Sequence, residues 1–157
     1  MVTGASGAGK TTVIEPLRRR LPDFEVFDSD LIWHVAELGA DTWLNTWLQL
    51  AYAISRNGRA TVLLGALGPD WFEGLPGRRL VGAIHSCHLN CADHLLEERL
   101  RARPAWRASS SEEFISRQKA FAAWLRANVH PTFDTGLLSA DAVGDGVADW
   151  VRSLAAD

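Results

Sequence analysis

Four residues near the amino terminus have the types and the spacing that phosphate binding requires. Gly4, Gly9, Lys10 and Thr11 occupy every fixed position of the pattern G-x-x-x-x-G-K-[ST]. Glycines let the backbone curl so that successive N–H groups point at phosphate oxygens, and the helix that follows adds the positive end of its dipole. The pattern predicts a nucleotide-binding P-loop in which the lysine bridges the β- and γ-phosphates and the threonine hydroxyl binds Mg²⁺.

The predicted nucleotide contacts extend over the whole loop. They are Gly4, Ala5, Ser6, Gly7, Ala8, Gly9, Lys10, Thr11 and Thr12. A glycine-rich turn that happens to precede a helix is the alternative interpretation. Because a strand, the loop and a helix are predicted in the required order, the sequence favours the phosphate-binding interpretation.

Two carboxylates follow the predicted second strand, Phe24–Phe27. Asp28 and Asp30 lie in the segment Val-Phe-Asp-Ser-Asp, at the edge of an α/β sheet where ligands bind. One carboxylate of such a pair can hold Mg²⁺ through water, and the other can accept the proton of an attacking hydroxyl. The alternative is a helix cap, because Asp and Ser are both favourable N-cap residues.

The loop together with Phe-Asp-Ser-Asp resembles shikimate and gluconate kinases and their relatives in the nucleoside-monophosphate-kinase-like group. In shikimate kinases the first Asp of such a pair assists the metal, and the second binds the acceptor hydroxyl as its base. The resemblance implies that Thr11 and Asp28 bind the metal and that Lys10 and Asp30 are catalytic. It also implies ATP and Mg²⁺ as cofactors.

A second part of the resemblance is a helix that contains Arg99 and Arg103, which lie on one helix face because they are four residues apart. In the kinase group a helix ending Arg-x-x-x-Arg leads into a mobile lid whose arginines contact adenine and the transferring phosphate. Nucleotide-binding and catalytic roles for both arginines are therefore implied, with a short lid around residues 104–110. The alternative is a solvated helix face, since Glu97 and Arg101 can form an ion pair there.

The sequence departs from the kinase pattern after the predicted third strand, Ala60–Leu64. No acidic residue follows this strand, so no Walker B carboxylate is predicted and Asp28 must carry more of the metal binding. The Gly-Gly-Gly segment and the acceptor-binding arginine of a shikimate kinase are also missing near Gly65–Gly68. Shikimate is therefore disfavoured as the acceptor.

Short apolar runs alternate with segments of helical periodicity along the chain, which predicts one α/β domain over residues 1–157. We expect a three-layer sandwich with a mostly parallel five-stranded sheet, helices on both faces and the P-loop NTPase fold. The first strand is truncated, because only Met1, Val2 and Thr3 precede the loop. We expect that the natural start lies several codons upstream or that the front of this strand has been lost.

Tryptophan positions divide into two sets. Trp43 and Trp47 belong to a predicted apolar stripe on the helix before the third strand. The full stripe is Trp43, Trp47, Leu50, Ala51 and Ile54. Trp150 is likewise predicted to lie in the core. Trp33, Trp71 and Trp106 fall nearer the expected ligand edge and are candidates for stacking on a ligand.

Composition limits the classes of partner. The 157 residues are 47% hydrophobic with a net charge of -3, which gives no general attraction to nucleic acid or to an anionic membrane. No apolar run approaches the length of a membrane span. Two cysteines cannot form a disulfide framework, so we expect a cytoplasmic protein with reduced thiols. We also expect a monomer or a homodimer.

The sequence therefore predicts an ATP-dependent kinase that moves the γ-phosphoryl group to a small-molecule hydroxyl or phosphate acceptor. The first alternative is a P-loop ATPase or nucleotide-binding switch that acts through a protein partner. The second is a degenerate relative that binds nucleotide without chemistry, which the missing Walker B carboxylate favours.

Overall fold

The predicted strands form one parallel sheet in the order β2-β3-β1-β4-β5 in a computed structural model that describes residues 1–104 and 109–154. The strands are β1 Val2–Thr3, β2 Phe24–Asp28, β3 Ala60–Gly65, β4 Cys87–Asn90 and β5 Thr132–Asp134. The helices are α1 Lys10–Arg20, α2 Ala40–Ser55, α3 Asp93–Arg101, α4 Glu112–Asn128 and α5 Ala140–Leu154. The expected α/β sandwich and parallel five-stranded sheet are confirmed.

Alternation along β3 shows how the sheet is covered on both faces. Val62 and Leu64 pack in one core cluster with apolar residues of α1 and α5. Leu63, which points the other way, packs in a second cluster with Trp43 and Trp47 of α2. Successive strand residues face opposite sides of a sheet, so the helices form an outer layer on each face.

The first strand, β1, has two residues. β1 pairs with β3 only at Val2 and Thr3, whose partners there are Leu64 and Gly65. The first four residues of β3, Ala60–Leu63, pair with β2 but not with β1. An apolar cavity of about 430 Å³ opens at this point.

The residues between Asp30 and α2 do not form an α-helix. Residues Ser29–Leu38 form 3₁₀ turns with a break at Ile32, and α2 begins only at Ala40. The buried face of α2 is also shifted, because it consists of Trp43, Leu44, Trp47 and Leu48. Leu50, expected in the stripe, is 38% exposed. The shift occurs because α2 packs partly on loop residues that follow β3, such as Leu67 and Phe72.

Two helices begin at serine caps. The Ser111 hydroxyl accepts a hydrogen bond from the Phe114 amide at the start of α4 (3.2 Å), and the Ser139 hydroxyl accepts one from Ala142 before α5 (3.2 Å). Such side-chain acceptors satisfy amides that have no partner inside the helix.

In the two described ranges, no helix combines the length and the apolar character that crossing a bilayer requires.

Candidate functional site

The loop between β1 and α1 owes its curl to two glycines. Gly7 and Gly9 have φ angles of 91° and 88°, a left-handed conformation that other residues rarely adopt. The Gly4 amide donates to the carbonyl of Gly65 at the end of β3 (3.2 Å), which ties the start of the loop to the sheet. α1 begins at Lys10, directly after the second of the two curled glycines.

Lys10 folds back onto this loop. Its ammonium donates to the carbonyl oxygens of Gly4 (2.7 Å) and Ala5 (3.0 Å). Burial lowers the pKa of Lys10 to about 8, and the nearby carboxylates of Asp30 and Asp28 oppose that shift. The lysine is therefore a partly desolvated cation held near both acidic residues.

The acidic pair forms a turn at the end of β2. Asp28 accepts a hydrogen bond from the Asp30 amide through Oδ1 (3.0 Å), so it caps the 3₁₀ segment. Its other oxygen, Oδ2, accepts from the Thr11 hydroxyl (3.4 Å). Asp28 therefore uses Oδ1 in the cap, while Oδ2 contacts the hydroxyl of Thr11, the other predicted metal ligand.

The donors at this point fit Mg²⁺. Thr11 and Asp28 offer a hydroxyl and a carboxylate oxygen, which are hard ligands of the kind this ion takes. Among residues 1–104 and 109–154, no group of three or more His, Cys, Asp and Glu side chains could hold a metal by itself. A magnesium ion here would need phosphate oxygens and water as its remaining ligands, as is usual in phosphate-transferring sites.

Arg99 of α3 contacts the phosphate loop at Gly7. Its guanidinium donates to the carbonyl of Gly7 (3.2 Å) and to the hydroxyl and the carbonyl of Thr135 (3.1 and 3.0 Å). The Thr135 hydroxyl also lies within hydrogen-bond distance of the carbonyls of Ala8 (3.0 Å) and Asn90 (3.1 Å). These contacts fix the loop to the ends of β4 and β5.

A cavity of about 430 Å³ joins these groups. Its lining consists of Ser6, Gly7, Gly9, Lys10, Thr11, Thr12, Val13, Asp28, Asp30, Arg99, Arg103, Thr135, Leu138, Ala140 and Val143. Every residue predicted to be catalytic and both predicted metal ligands therefore line one cavity. The other predicted loop contacts, Gly4, Ala5 and Ala8, are buried behind it.

Sequence reasoning missed two polar residues that contact the loop. Gln118 of α4 accepts a hydrogen bond from the Ser6 amide (2.8 Å), and Thr135 makes the contacts described above. Thr135 could have been found, because it directly follows β5 at the carboxyl edge of the sheet, where ligands bind. Gln118 carries no local signal, since it lies in the middle of a helix.

The predicted lid around 104–110 falls largely outside the described residues, which omit 105–108 and with them the candidate Trp106. At its carboxyl end the Ser109 hydroxyl is buried and donates to the carbonyl of Leu100 in α3 (3.3 Å). The other two stacking candidates, Trp33 and Trp71, are 57% and 49% exposed. Their stacking role stays a prediction.

No protein-family model and no curated protein sequence matches the chain. Solved structures do. A sugar kinase from a Janibacter species aligns with a TM-score of 0.71 at 18% identity, over 96% of this chain and 92% of the other. A shikimate kinase from Acinetobacter baumannii, solved in complex with shikimate, gives 0.65 at 20% identity, over 97% and 91%. A gluconokinase from Sinorhizobium meliloti gives 0.59 at 20% identity, over 98% and 94%. The chain has the fold of P-loop small-molecule kinases.

Proposed function

We propose that this protein transfers the γ-phosphoryl group of ATP to a small-molecule acceptor that bears a hydroxyl or a phosphate. One observation carries the proposal: a single cavity contains the P-loop lysine, the Thr11–Asp28 pair and Asp30. The kinase fold supports the reaction class but identifies neither donor nor acceptor.

Phosphate binding would fall to the loop. Loop amides and the amino-terminal end of α1 attract phosphate oxygens. In the free protein Lys10 donates to the carbonyls of Gly4 and Ala5, and bound β- and γ-phosphates would replace these neutral acceptors with charged ones. Charged acceptors make stronger hydrogen bonds, so the lysine would stabilise the charge that moves toward the leaving oxygen.

Thr11 and Asp28 would hold Mg²⁺ beside the phosphate loop. The ion supplies charge neutralisation on the transferring group when it is bound. Asp28 is already oriented for this role, because the Asp30 amide occupies its other oxygen.

Asp30 would act on the acceptor. It lines the cavity two residues beyond the metal ligand Asp28. For a hydroxyl acceptor, its carboxylate takes the hydroxyl proton as the new bond from oxygen to the γ-phosphorus forms and the bond to the bridging oxygen of ADP breaks. For a phosphate acceptor, it would orient the attacking oxygen.

Arg99 and Arg103 would complete the nucleotide site, since both line the cavity. Arg99 is held by Gly7 and Thr135, so a nucleotide contact requires it to share or exchange those bonds. Guanidinium can both stack on an adenine ring and hold phosphate oxygens. Their catalytic roles, the lid, a cytoplasmic location and a monomeric or dimeric state stay predictions from the sequence.

A nucleotide-dependent switch is the second candidate, and a specific observation favours it. Leu31, Trp33 and Leu38 are 65%, 57% and 75% exposed in the segment that directly follows Asp30. Apolar side chains that contact a protein partner and move with the γ-phosphate would suit a switch. The absence of a carboxylate at the end of β3 also suits slow hydrolysis.

ADP formation from ATP and Mg²⁺, measured against a panel of sugars, nucleosides and nucleoside monophosphates, separates the two candidates. If the protein is a kinase, we expect one class of acceptor to stimulate ADP formation, with an equal amount of phosphorylated acceptor formed. Slow release of inorganic phosphate at a rate that no acceptor changes would contradict it and support the switch.

A further inference from the structure

The peptide between the two acidic residues is held by α2. The carbonyl oxygen of Ser29 accepts a hydrogen bond from the indole N–H of Trp43 (3.3 Å) and another from that of Trp47 (3.2 Å). Ser29 is completely buried, and the two tryptophans are 7% and 2% exposed. A carbonyl oxygen has two lone pairs, so the two indoles use its whole accepting capacity.

The side chain of Ser29 lies against the end of β3. A Cβ atom placed on Gly65 would lie 2.5 Å from the Ser29 hydroxyl oxygen, a distance that real side chains do not reach. Gly65 also accepts the hydrogen bond from the Gly4 amide of the phosphate loop. The end of β3 therefore contacts both the phosphate loop and the acidic turn.

The turn has little regular structure of its own to hold it. Asp30 begins a 3₁₀ segment, whose hydrogen bonds have poorer geometry than those of an α-helix, and that segment breaks at Ile32. A carboxylate that must stay close to a transferring phosphate therefore needs support from elsewhere in the molecule. Trp43 and Trp47 support the backbone between Asp28 and Asp30 through the Ser29 carbonyl.

We infer that Trp43 and Trp47 are positioning residues, and that their indole N–H groups set where Asp28 and Asp30 lie relative to Thr11. The inference rests on the proposed function of the two carboxylates. It assigns these side chains a role beyond filling the core cluster under β3. Phenylalanine fills most of the same volume but lacks the donor, so it separates the two roles.

The test compares Trp43→Phe, Trp47→Phe and the double variant with wild type. Trp150→Phe is the matched control, because Trp150 is partly buried against the core on the other face of the sheet. Three quantities are measured for each protein: the ADP affinity without Mg²⁺, the factor by which Mg²⁺ raises that affinity, and turnover at saturating acceptor. Melting temperatures of all variants monitor the loss of packing.

We expect Mg²⁺-free ADP affinity to stay within about twofold of wild type in all variants, because the phosphate loop is untouched. The Mg²⁺ enhancement and the turnover should fall about tenfold in each single variant and about 100-fold in the double variant, as expected when reacting groups are displaced by about an ångström. Trp150→Phe should change neither the Mg²⁺ enhancement nor the turnover, even if its melting temperature falls as much as those of the Trp43 and Trp47 variants.

Turnover and Mg²⁺ enhancement in the double variant equal to those of Trp150→Phe would overturn the inference, since the indoles would then serve packing alone. If the double variant does not fold, the single variants decide in the same way. If wild type transfers phosphate to no acceptor, the proposed function fails, but the Mg²⁺ enhancement of ADP binding still tests the positioning role.

Discussion

Two cavities of the same volume, about 430 Å³ each, lie at opposite ends of the sheet. The cavity at the carboxyl ends of the strands is lined by the phosphate loop, both aspartates and two arginines. The one at the amino ends is lined mainly by apolar residues at the start of β3, by residues 80–85 and by Trp47 and Trp150. The two cavities are therefore equal in volume, but one has a polar and charged lining and the other a mainly apolar one.

The polar cavity is built from groups that support one another. Lys10, Asp28 and Arg99 each bond to a neighbouring loop or strand end. Such pre-formed contacts hold polar groups in place before a ligand arrives. The polar side chains of this cavity are therefore held in place by hydrogen bonds.

The apolar cavity lies in the layer of the sheet itself, because Trp47 and Trp150 reach it from opposite faces. Residues Ala60–Leu63 have a neighbouring strand on one side only, and the Thr61 hydroxyl is buried there without a hydrogen-bond partner. The lining of this cavity is therefore mainly apolar and incompletely packed. The volume of a cavity therefore does not by itself identify a ligand-binding site in this protein.

The largest effect is expected for Lys10→Ala. Removal of the ammonium should abolish phosphotransfer and weaken ATP binding by about 100-fold or more, because a charged hydrogen-bond donor to the phosphates is lost in a desolvated site. Isothermal titration with ATP and Mg²⁺ measures the binding. Lys119→Ala is the control, since Lys119 is the other lysine of the chain and pairs with Glu97 outside the cavity. Equal ATP affinity in the two variants would contradict the assignment of the polar cavity.

Replacement of threonine by valine should lower turnover in the polar cavity and raise stability in the apolar cavity. Thr11→Val removes a predicted Mg²⁺ ligand and should lower turnover about 100-fold with little change in stability. Thr61→Val removes a buried hydroxyl that has no partner, and it should raise the free energy of unfolding by about 1 kcal/mol without changing turnover. Urea unfolding and turnover are measured on both variants. Loss of turnover in Thr61→Val, or full turnover in Thr11→Val, would break the comparison.

Nucleotide affinity should fall at alkaline pH. Burial sets the pKa of Lys10 in the free protein at about 8, whereas bound phosphates favour the charged ammonium. Above pH 8 binding must therefore take up a proton, and the affinity for ADP should fall about tenfold between pH 7 and pH 9. Lys10→Ala is the control and should bind weakly with no such slope. A slope that persists in this variant would assign the titration to another group.

The smallest effect concerns the apolar cavity. An apolar segment of about four residues added before Met1 should raise the melting temperature by several degrees, since roughly 2–4 °C corresponds to 1 kcal/mol in a chain of this size. It would extend β1 alongside Ala60–Leu63. An extension of glycine, serine and asparagine is the control, and equal melting temperatures for the two extensions would contradict the prediction.

The sequence predicted what depends on neighbours along the chain. The phosphate loop, the acidic turn and the alternation of strands and helices are local patterns, and the cavity contains all the residues predicted from them to be catalytic. The two-residue β1 could also be predicted, because three residues precede Gly4.

Contacts between distant segments could not be predicted in this way. Thr135 meets Arg99 and Ala8 only after β4 and β5 are paired. Trp43 and Trp47 were expected in the core, and they are there, but a helical stripe does not show that both indoles meet one carbonyl. Leu50 was wrongly assigned to that stripe because the periodicity cannot show which part of α2 other segments cover.

The proposed role of Asp30 is tested by phosphotransfer in Asp30→Asn, measured as equal formation of ADP and phosphorylated acceptor. The amide keeps the size of the side chain but cannot take the proton of the acceptor hydroxyl. With a hydroxyl acceptor identified from the panel, the account predicts that phosphotransfer is lost while ADP affinity stays within about twofold of wild type. Full phosphotransfer by Asp30→Asn on that acceptor would contradict the account.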